Sequence, residues 1–199
     1  MQALGQFGCL NIGAKFMLNN NDIKFSDNDI SIRKINETDK ETCIRIWQSG
    51  TVVKYISEKD KFNQAMWEEY TKPSTLAFLI FNDSNNVCGI CQLDHTDTPT
   101  PHIGIDILEK YRQKGYGYKS VRLLLENAYQ ICNAKYFIWR CFIDNIASQK
   151  LVEKLNGILV EKKPSLPQSI IEMGKESGIY KTEDDIPTIY EYRINVDSL

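Results

Sequence analysis

Two glycines, Gly115 and Gly117, stand one residue apart in "EKYRQKGYGYK" (109–119), among Lys110, Arg112, Lys114 and Lys119. A glycine turn that opens a helix points backbone N–H groups outward, and such a turn can hold phosphate. A P-loop is excluded, because its lysine directly follows the second glycine and its spacing is longer. A dinucleotide-binding fingerprint is excluded too: there is no third glycine, and three strand-like stretches precede the turn. Taken alone, the turn fits either a shorter phosphate cradle or a plain strand-to-helix turn with a solvated basic face.

Two other groupings could carry chemistry. Cys88 and Cys91 form a CxxC in "NVCGICQLD". No second pair completes a metal site, and strand residues three apart point to opposite faces, so the pair reads as part of a strand. His95, His102, Asp94 and Asp97 sit close in sequence, but their spacing matches no standard ligand pattern. No metal is expected.

These residues must be positioned by a chain of 199 residues that is 42% apolar and 25% charged, with net charge −2. That is an ordinary globular composition with no global signal for nucleic acid. No apolar run is long enough to span a bilayer. The scattered cysteines fit reduced, buried thiols and a cytoplasmic protein.

Residues 1–28 read as a flexible leader or an extra N-terminal segment, with Met17 as an alternative start. Residues 29–199 read as one domain. "ISIRKI" alternates as a strand. Thr38 and Glu41 suggest a capping box before a helix. "DKFNQAMWEEYTK" is a second helix, ended by Pro73. "TLAFLIFND" and "NVCGICQLDHT" form a hairpin across "NDSNN". "HIGIDIL" leads into the glycine turn and "SVRLLLENAYQI" leads out. "KYFIWRCF" is a strand, and "NIASQKLVEKLN" is a helix with Asn145 near its N-cap. Short strands "GILVEKK" and "TIYEYRINV" flank an insertion (162–186) that holds a short helix. The order predicts an α/β fold with a mixed sheet.

Arg112-Gln113-Lys114-Gly115-Tyr116-Gly117 resembles the Arg/Gln-x-x-Gly-x-Gly/Ala motif of the GNAT superfamily of N-acetyltransferases. "DNIASQKLVEKLNGILVE" is similar to that family's second signature, about 28 residues on, and "LVEKLNG" resembles its ribosomal-protein N-terminal acetyltransferase branch. The resemblance covers roughly 30–196. It implies a mostly antiparallel sheet of six to seven strands flanked by helices, splayed between the fourth and fifth strands. It also implies acetyl-CoA as cosubstrate and direct attack of a primary amine on the thioester in a ternary complex. The acceptor would be a small molecule or a protein N-terminus. A homodimer paired through the last strand is allowed.

Carried over residue by residue, the resemblance places pyrophosphate on the turn of Arg112, Gln113, Lys114, Gly115, Tyr116, Gly117 and Tyr118. Pantetheine would lie along Asp106, Ile107 and Leu108, with a backbone N–H near Leu108 on the thioester carbonyl. Asn145 would touch pantetheine or an ordered water. Many relatives carry a tyrosine acid where this chain has Val152, which cannot donate. Ser148 matches a serine used instead in the ribosomal-protein branch. His102, with its near-neutral reference pKa, and Asp106, four residues along the same strand, are the candidate bases. A water relay is the third option. Acceptor contacts would come from the first helices and the insertion, including Trp47, Tyr55, Trp67, Tyr180, Glu183, Asp184 and Asp185. The rival readings are a non-catalytic acyl-CoA-binding module, which the missing tyrosine favours, and the same fold holding another nucleotide.

Overall fold

The computed structural model describes residues 23–49 and 58–198. Most of the leader, Tyr55 and Met17 therefore lie outside the described residues.

Eight strands form one sheet, in the order β1-β2-β3-β4-β5-β6-β8-β7. They are β1 (Lys24–Asp27), β2 (Ile30–Lys34), β3 (Leu76–Asn82), β4 (Val87–Asp94), β5 (His102–Ile107), β6 (Tyr136–Phe142), β7 (Ile158–Pro164) and β8 (Thr188–Asn195). The helices are α1 (Lys40–Gln48), α2 (Lys59–Thr71), α3 (Tyr116–Cys132), α4 (Ile146–Lys154) and α5 (Gln168–Glu176). All strand pairings are antiparallel except β5–β6. The strand beyond the expected six to seven is β1, a polar "KFSD" in what reads as linker, which pairs along its whole length with β2. The insertion does carry a short helix, α5.

The start of α1 differs from the expected Thr38–Glu41 box. The reciprocal cap is Asn36 with Asp39, on a 3-10 turn one step earlier. Asp39 also receives the Arg33 guanidinium at 2.9 and 2.8 Å, a bidentate pair that Glu41 has no counterpart for.

Alternation gives the sheet two apolar faces. Leu93, Ile103, Phe137, Trp139, Tyr192 and Ile194 pack under Leu124 and Leu125 of α3 and Val152 of α4. Leu79 and Ile90 pack on the other side under Ile46, Trp47, Trp67 and Tyr70 of α1 and α2. The opposite-face expectation for Cys88 and Cys91 does not hold. A register shift in the β3–β4 ladder, where Gly89 pairs with Ile80 but Val87 with Phe81, interrupts the alternation at Cys88. Both thiols then join the α3-side core, free and buried.

The sheet opens where the chemistry is expected. β5 and β6 are paired only at His102↔Ile138 and Ile103↔Trp139. Beyond that point the two strands continue to Ile107 and Phe142 without pairing to each other, which is the splay expected between the fourth and fifth strands of the sequence reading. No helix among the described residues is long and apolar enough to cross a membrane.

Candidate functional site

The glycine turn sits at the open end of the splay. Gln113 has φ 60 and Gly115 has φ 84, so two alternate residues adopt the left-handed conformation. Such alternation curls successive N–H groups toward one point. For Gly115 it is free of steric cost, and a Cβ there would meet nothing within 4 Å. For Gln113 it is strained, by about 1–2 kcal/mol. The first helical hydrogen bond of α3 runs from the Lys119 N–H to the Gly115 carbonyl at 3.1 Å. The amides before it, from Gln113 to Tyr118, reach no backbone acceptor among the described residues, and no side chain caps them. Helix N-termini normally find such partners, so this run of bare donors matches an anionic ligand.

Gly117 does a different job. A Cβ on it would lie 3.4 Å from Leu151, 3.6 Å from Ile105 and 3.7 Å from Ile107, ordinary contacts that mark where α3, α4 and β5 converge on the floor of the splay. The basic side chains are largely engaged elsewhere. Arg112 Nε donates to the Ile107 carbonyl at 2.9 Å. Lys119 pairs with Asp29. Lys110 and Lys114 lie over the Tyr111 ring at 4.9 and 5.7 Å.

The β5 backbone tells which amides face the splay. The Leu108 N–H donates to the Cys88 carbonyl at 2.9 Å, so it is already in the β4 ladder. An antiparallel ladder bonds at every second residue, so Ile105 and Ile107 turn their N–H groups the other way. The same parity appears at the closed end, where Pro101 accepts from the Ile138 N–H at 2.9 Å. Of Asp106, Ile107 and Leu108, expected beside pantetheine, Ile107 presents its amide to the opening.

Register puts His102 and Asp106 on one face, opposite Asp94 and Ile90, as expected for a regular strand. They do not meet: four residues of strand separate them by about 13 Å. His102 lies at the closed end, with its ring 4.7 Å from that of His95. Burial, aided by the positive charge of Arg140, lowers its pKa to about 4, so it is a neutral and weak base. Asp106 lies at the open end. Asp106 is exposed to solvent, yet the protein packed around its carboxyl raises its pKa by desolvation, which the Arg112 charge only partly offsets.

Around Asp106 is a face that sequence reading did not assemble. Gln92, 8% exposed, lies across Gly104 and donates to Asp94 Oδ2 at 2.9 Å. Thr75 Oγ1 donates to Asp94 Oδ1 at 3.3 Å. Burial raises the Asp94 pKa against these two hydrogen bonds. Tyr70 of α2 stands edge-on to Trp47 of α1 at 4.9 Å. Burial first, then the Asp106 charge, keeps the Tyr70 phenol well above its usual pKa. Gln92 Oε1 on β4 and Asn63 Oδ1 on α2 meet no hydrogen-bond partner among the described residues, while Trp47 Nε1 lies against the Tyr70 side chain. Buried polar atoms are nearly always paired, so the two exceptions on this side of the sheet stand out. The signal in sequence was slight, since Asn63 and Tyr70 of α2 and Gln92 of β4 lie far apart in the chain.

On the other side of the splay, Asn145 Oδ1 accepts from the Ser148 N–H at 3.1 Å, capping α4. Ser148 Oγ accepts from the indole N–H of Trp139 at 2.9 Å. Val152 is fully buried, and a Cβ on Gly157 would come within 2.4 Å of its Cγ2, so no polar group occupies that helix position. The acidic run of the insertion is a turn: Asp185 accepts from the N–H groups of Lys181 at 2.8 Å and Thr182 at 2.7 Å. Glu183 pairs with Lys175 at 2.6 Å. Trp67 is buried in the core. Among the described residues, no three His, Cys, Asp or Glu side chains are grouped to hold a metal ion.

A family model described as an acetyltransferase (GNAT) domain matches residues 29–157. No curated protein matches the chain. Among solved structures, the spermidine/spermine N-acetyltransferase SpeG of Vibrio cholerae, crystallised with manganese ions, superposes with TM-score 0.62. It shares 10% identity, over 85% of this chain and 94% of that one. A Vibrio cholerae protein assigned as a ribosomal-protein-serine acetyltransferase gives TM-score 0.62 at 17% identity, over 88% and 98%. A chimera of the Vibrio cholerae SpeG with hSSAT gives 0.65 at 12% identity, over 85% and 97%. At these identities the structural likeness concerns the fold.

Proposed function

Because the chain belongs to the GNAT acetyltransferase family, we propose that it moves an acetyl group from acetyl-CoA to a primary amine by direct attack in a ternary complex. The observation that carries this is the run of partnerless amides from Gln113 to Tyr118 at the mouth of the β5–β6 splay. Acetyl-CoA would supply the activated acetyl thioester. Gln113 to Tyr118 hold its pyrophosphate through their N–H groups. Arg112 shapes the turn by gripping the Ile107 carbonyl, while the Ile107 N–H faces the thioester oxygen. One such donor is typically worth ~3 kcal/mol in the transition state.

The amine approaches on the face of Asp106, Gln92 and Tyr70. Asp106 takes the proton that the ammonium must lose, and its raised pKa suits it for this better than the weakly basic His102. As the C–N bond forms and the C–S bond breaks, the electron pair goes to sulfur. Ser148 then offers its O–H to the departing thiolate. The acceptor chemistry favoured by Asp106 at the open end, with Asp94 about 13 Å along the same face and Tyr70 near both charges, is a cationic aliphatic amine. A cytoplasmic setting suits the buried, free thiols among the described residues.

Release of free thiol on mixing the protein with acetyl-CoA and a panel of amines tests the proposal. Thiol release must require both reactants. Absence of calorimetric binding of acetyl-CoA would sink the whole reading. Binding without transfer to any amine would favour the non-catalytic module, the reading that Val152 supports.

A further inference from the structure

Ser148 is held from two directions. Its backbone N–H is fixed by Asn145 Oδ1 at 3.1 Å, and its hydroxyl oxygen by Trp139 Nε1 at 2.9 Å. Trp139 is only 2% exposed and stands on β6 at the last paired position before the splay. The hydrogen bond therefore ties the strand that borders the opening to the first turn of the helix that overhangs it.

The bond also sets the direction of the hydroxyl proton. An indole N–H can only donate, and a serine oxygen has one proton and two lone pairs. With one lone pair filled by Trp139, the Ser148 proton must point elsewhere. Cys141 lies two residues beyond Trp139 on the same strand face, near enough for the Ser148 side chain to act on its thiol. A thiol sulfur is a weak acceptor, whereas a thiolate is charged and accepts more strongly. The hydroxyl thus has no strong partner on that side. Accepting from Trp139 also polarises the O–H and makes it a better donor.

We infer that Trp139 is a positioning residue for thiolate release: its indole N–H orients the Ser148 hydroxyl and aims the hydroxyl proton at the CoA sulfur. The inference rests on the proposed role of Ser148. A purely structural alternative exists, since a buried indole N–H needs an acceptor in any case. On that alternative, removing the N–H lowers stability without acting through Ser148.

The test is a double-mutant cycle with Trp139→Phe, Ser148→Ala and the double variant. It reads kcat and KM for acetyl-CoA by thiol release, with urea unfolding alongside. Trp139→Phe should lower kcat about tenfold, the scale of a hydrogen bond to a charged group. It should leave KM within about twofold, and it should not slow the Ser148→Ala enzyme further. Losses that multiply in the double variant, or an unchanged kcat in Trp139→Phe, overturn the inference and leave the Ser148 role standing. An unchanged kcat in Ser148→Ala overturns both. If Trp139→Phe does not fold, the wild-type indole ¹⁵N–H resonance of Trp139 carries the claim. It should shift with CoA well beyond its shift with desulfo-CoA, which fills the same cleft without sulfur, and equal shifts contradict the inference.

Discussion

The turn that opens α3 and the sheet face under α1 and α2 both present polar groups without partners, but groups of different kinds. At the turn they are backbone amides, from Gln113 to Tyr118, and the nearby cations are mostly engaged with the protein. Under α1 and α2 they are side-chain atoms, Gln92 Oε1 and Asn63 Oδ1, which meet no partner among the described residues, on the face that carries Asp94 and Asp106, both with raised pKa. The first set suits a phosphate, which any sequence with the right dihedrals can bind. The second suits one amine chemistry and depends on which side chains the fold assembles. A backbone site should be broken by conformation and tolerate loss of charge. A side-chain site should be broken by loss of one functional group.

The largest effect expected from that contrast is at Asp106. Asp106→Asn should lower kcat by ~10²-fold or more, the usual scale for a placed base, with KM for acetyl-CoA unchanged. Steady-state thiol release measures both. Its pH profile carries a sign. The base works deprotonated, and burial raises its pKa, so kcat/KM should fall as pH drops through a value above that of an ordinary aspartate. That acidic limb should vanish in Asp106→Asn. A limb that persists would move the base to a water relay.

Next in size is Gly115→Val. At φ 84 a β-branched residue is strained, and acetyl-CoA affinity should fall by about tenfold or more by calorimetry. Gly117→Ala should be milder, because its Cβ would meet only ordinary van der Waals contacts at 3.4 Å and beyond. His102→Gln should change kcat by less than about threefold, since an imidazole with a pKa of about 4 lies ~13 Å down the strand from Asp106. A large loss there, read by the same thiol assay, would return His102 to the reaction. Smallest should be Lys114→Ala, within about twofold in affinity at 0.15 M salt, because exposed charges are screened.

The same contrast explains what could be read from sequence. Gly115 announced the turn because local residue type sets local dihedrals, and Asn145 announced its helix cap for the same reason. The left-handed Gln113 gave no sign, because a non-glycine residue there is held by its surroundings. The strand Lys24–Asp27 escaped because a polar edge strand looks like linker. The opposite-face expectation for Cys88 and Cys91 failed at a ladder irregularity that no pattern in "NVCGICQLD" reveals. Gln92, Asn63, Trp47 and Tyr70 acquire meaning only when β4, α1 and α2 meet. Ladder parity narrows the amide expected near Leu108: it gives the Leu108 N–H to Cys88 and presents the Ile107 N–H.

The most direct test of the backbone cradle is calorimetric titration of acetyl-CoA into wild type, Gly115→Val and Lys114→Ala under one salt condition. Tight binding to wild type, near-wild-type binding to Lys114→Ala and a loss of about tenfold or more in Gly115→Val is the predicted order. A larger loss in Lys114→Ala than in Gly115→Val would contradict the account and make the site one of side-chain charge.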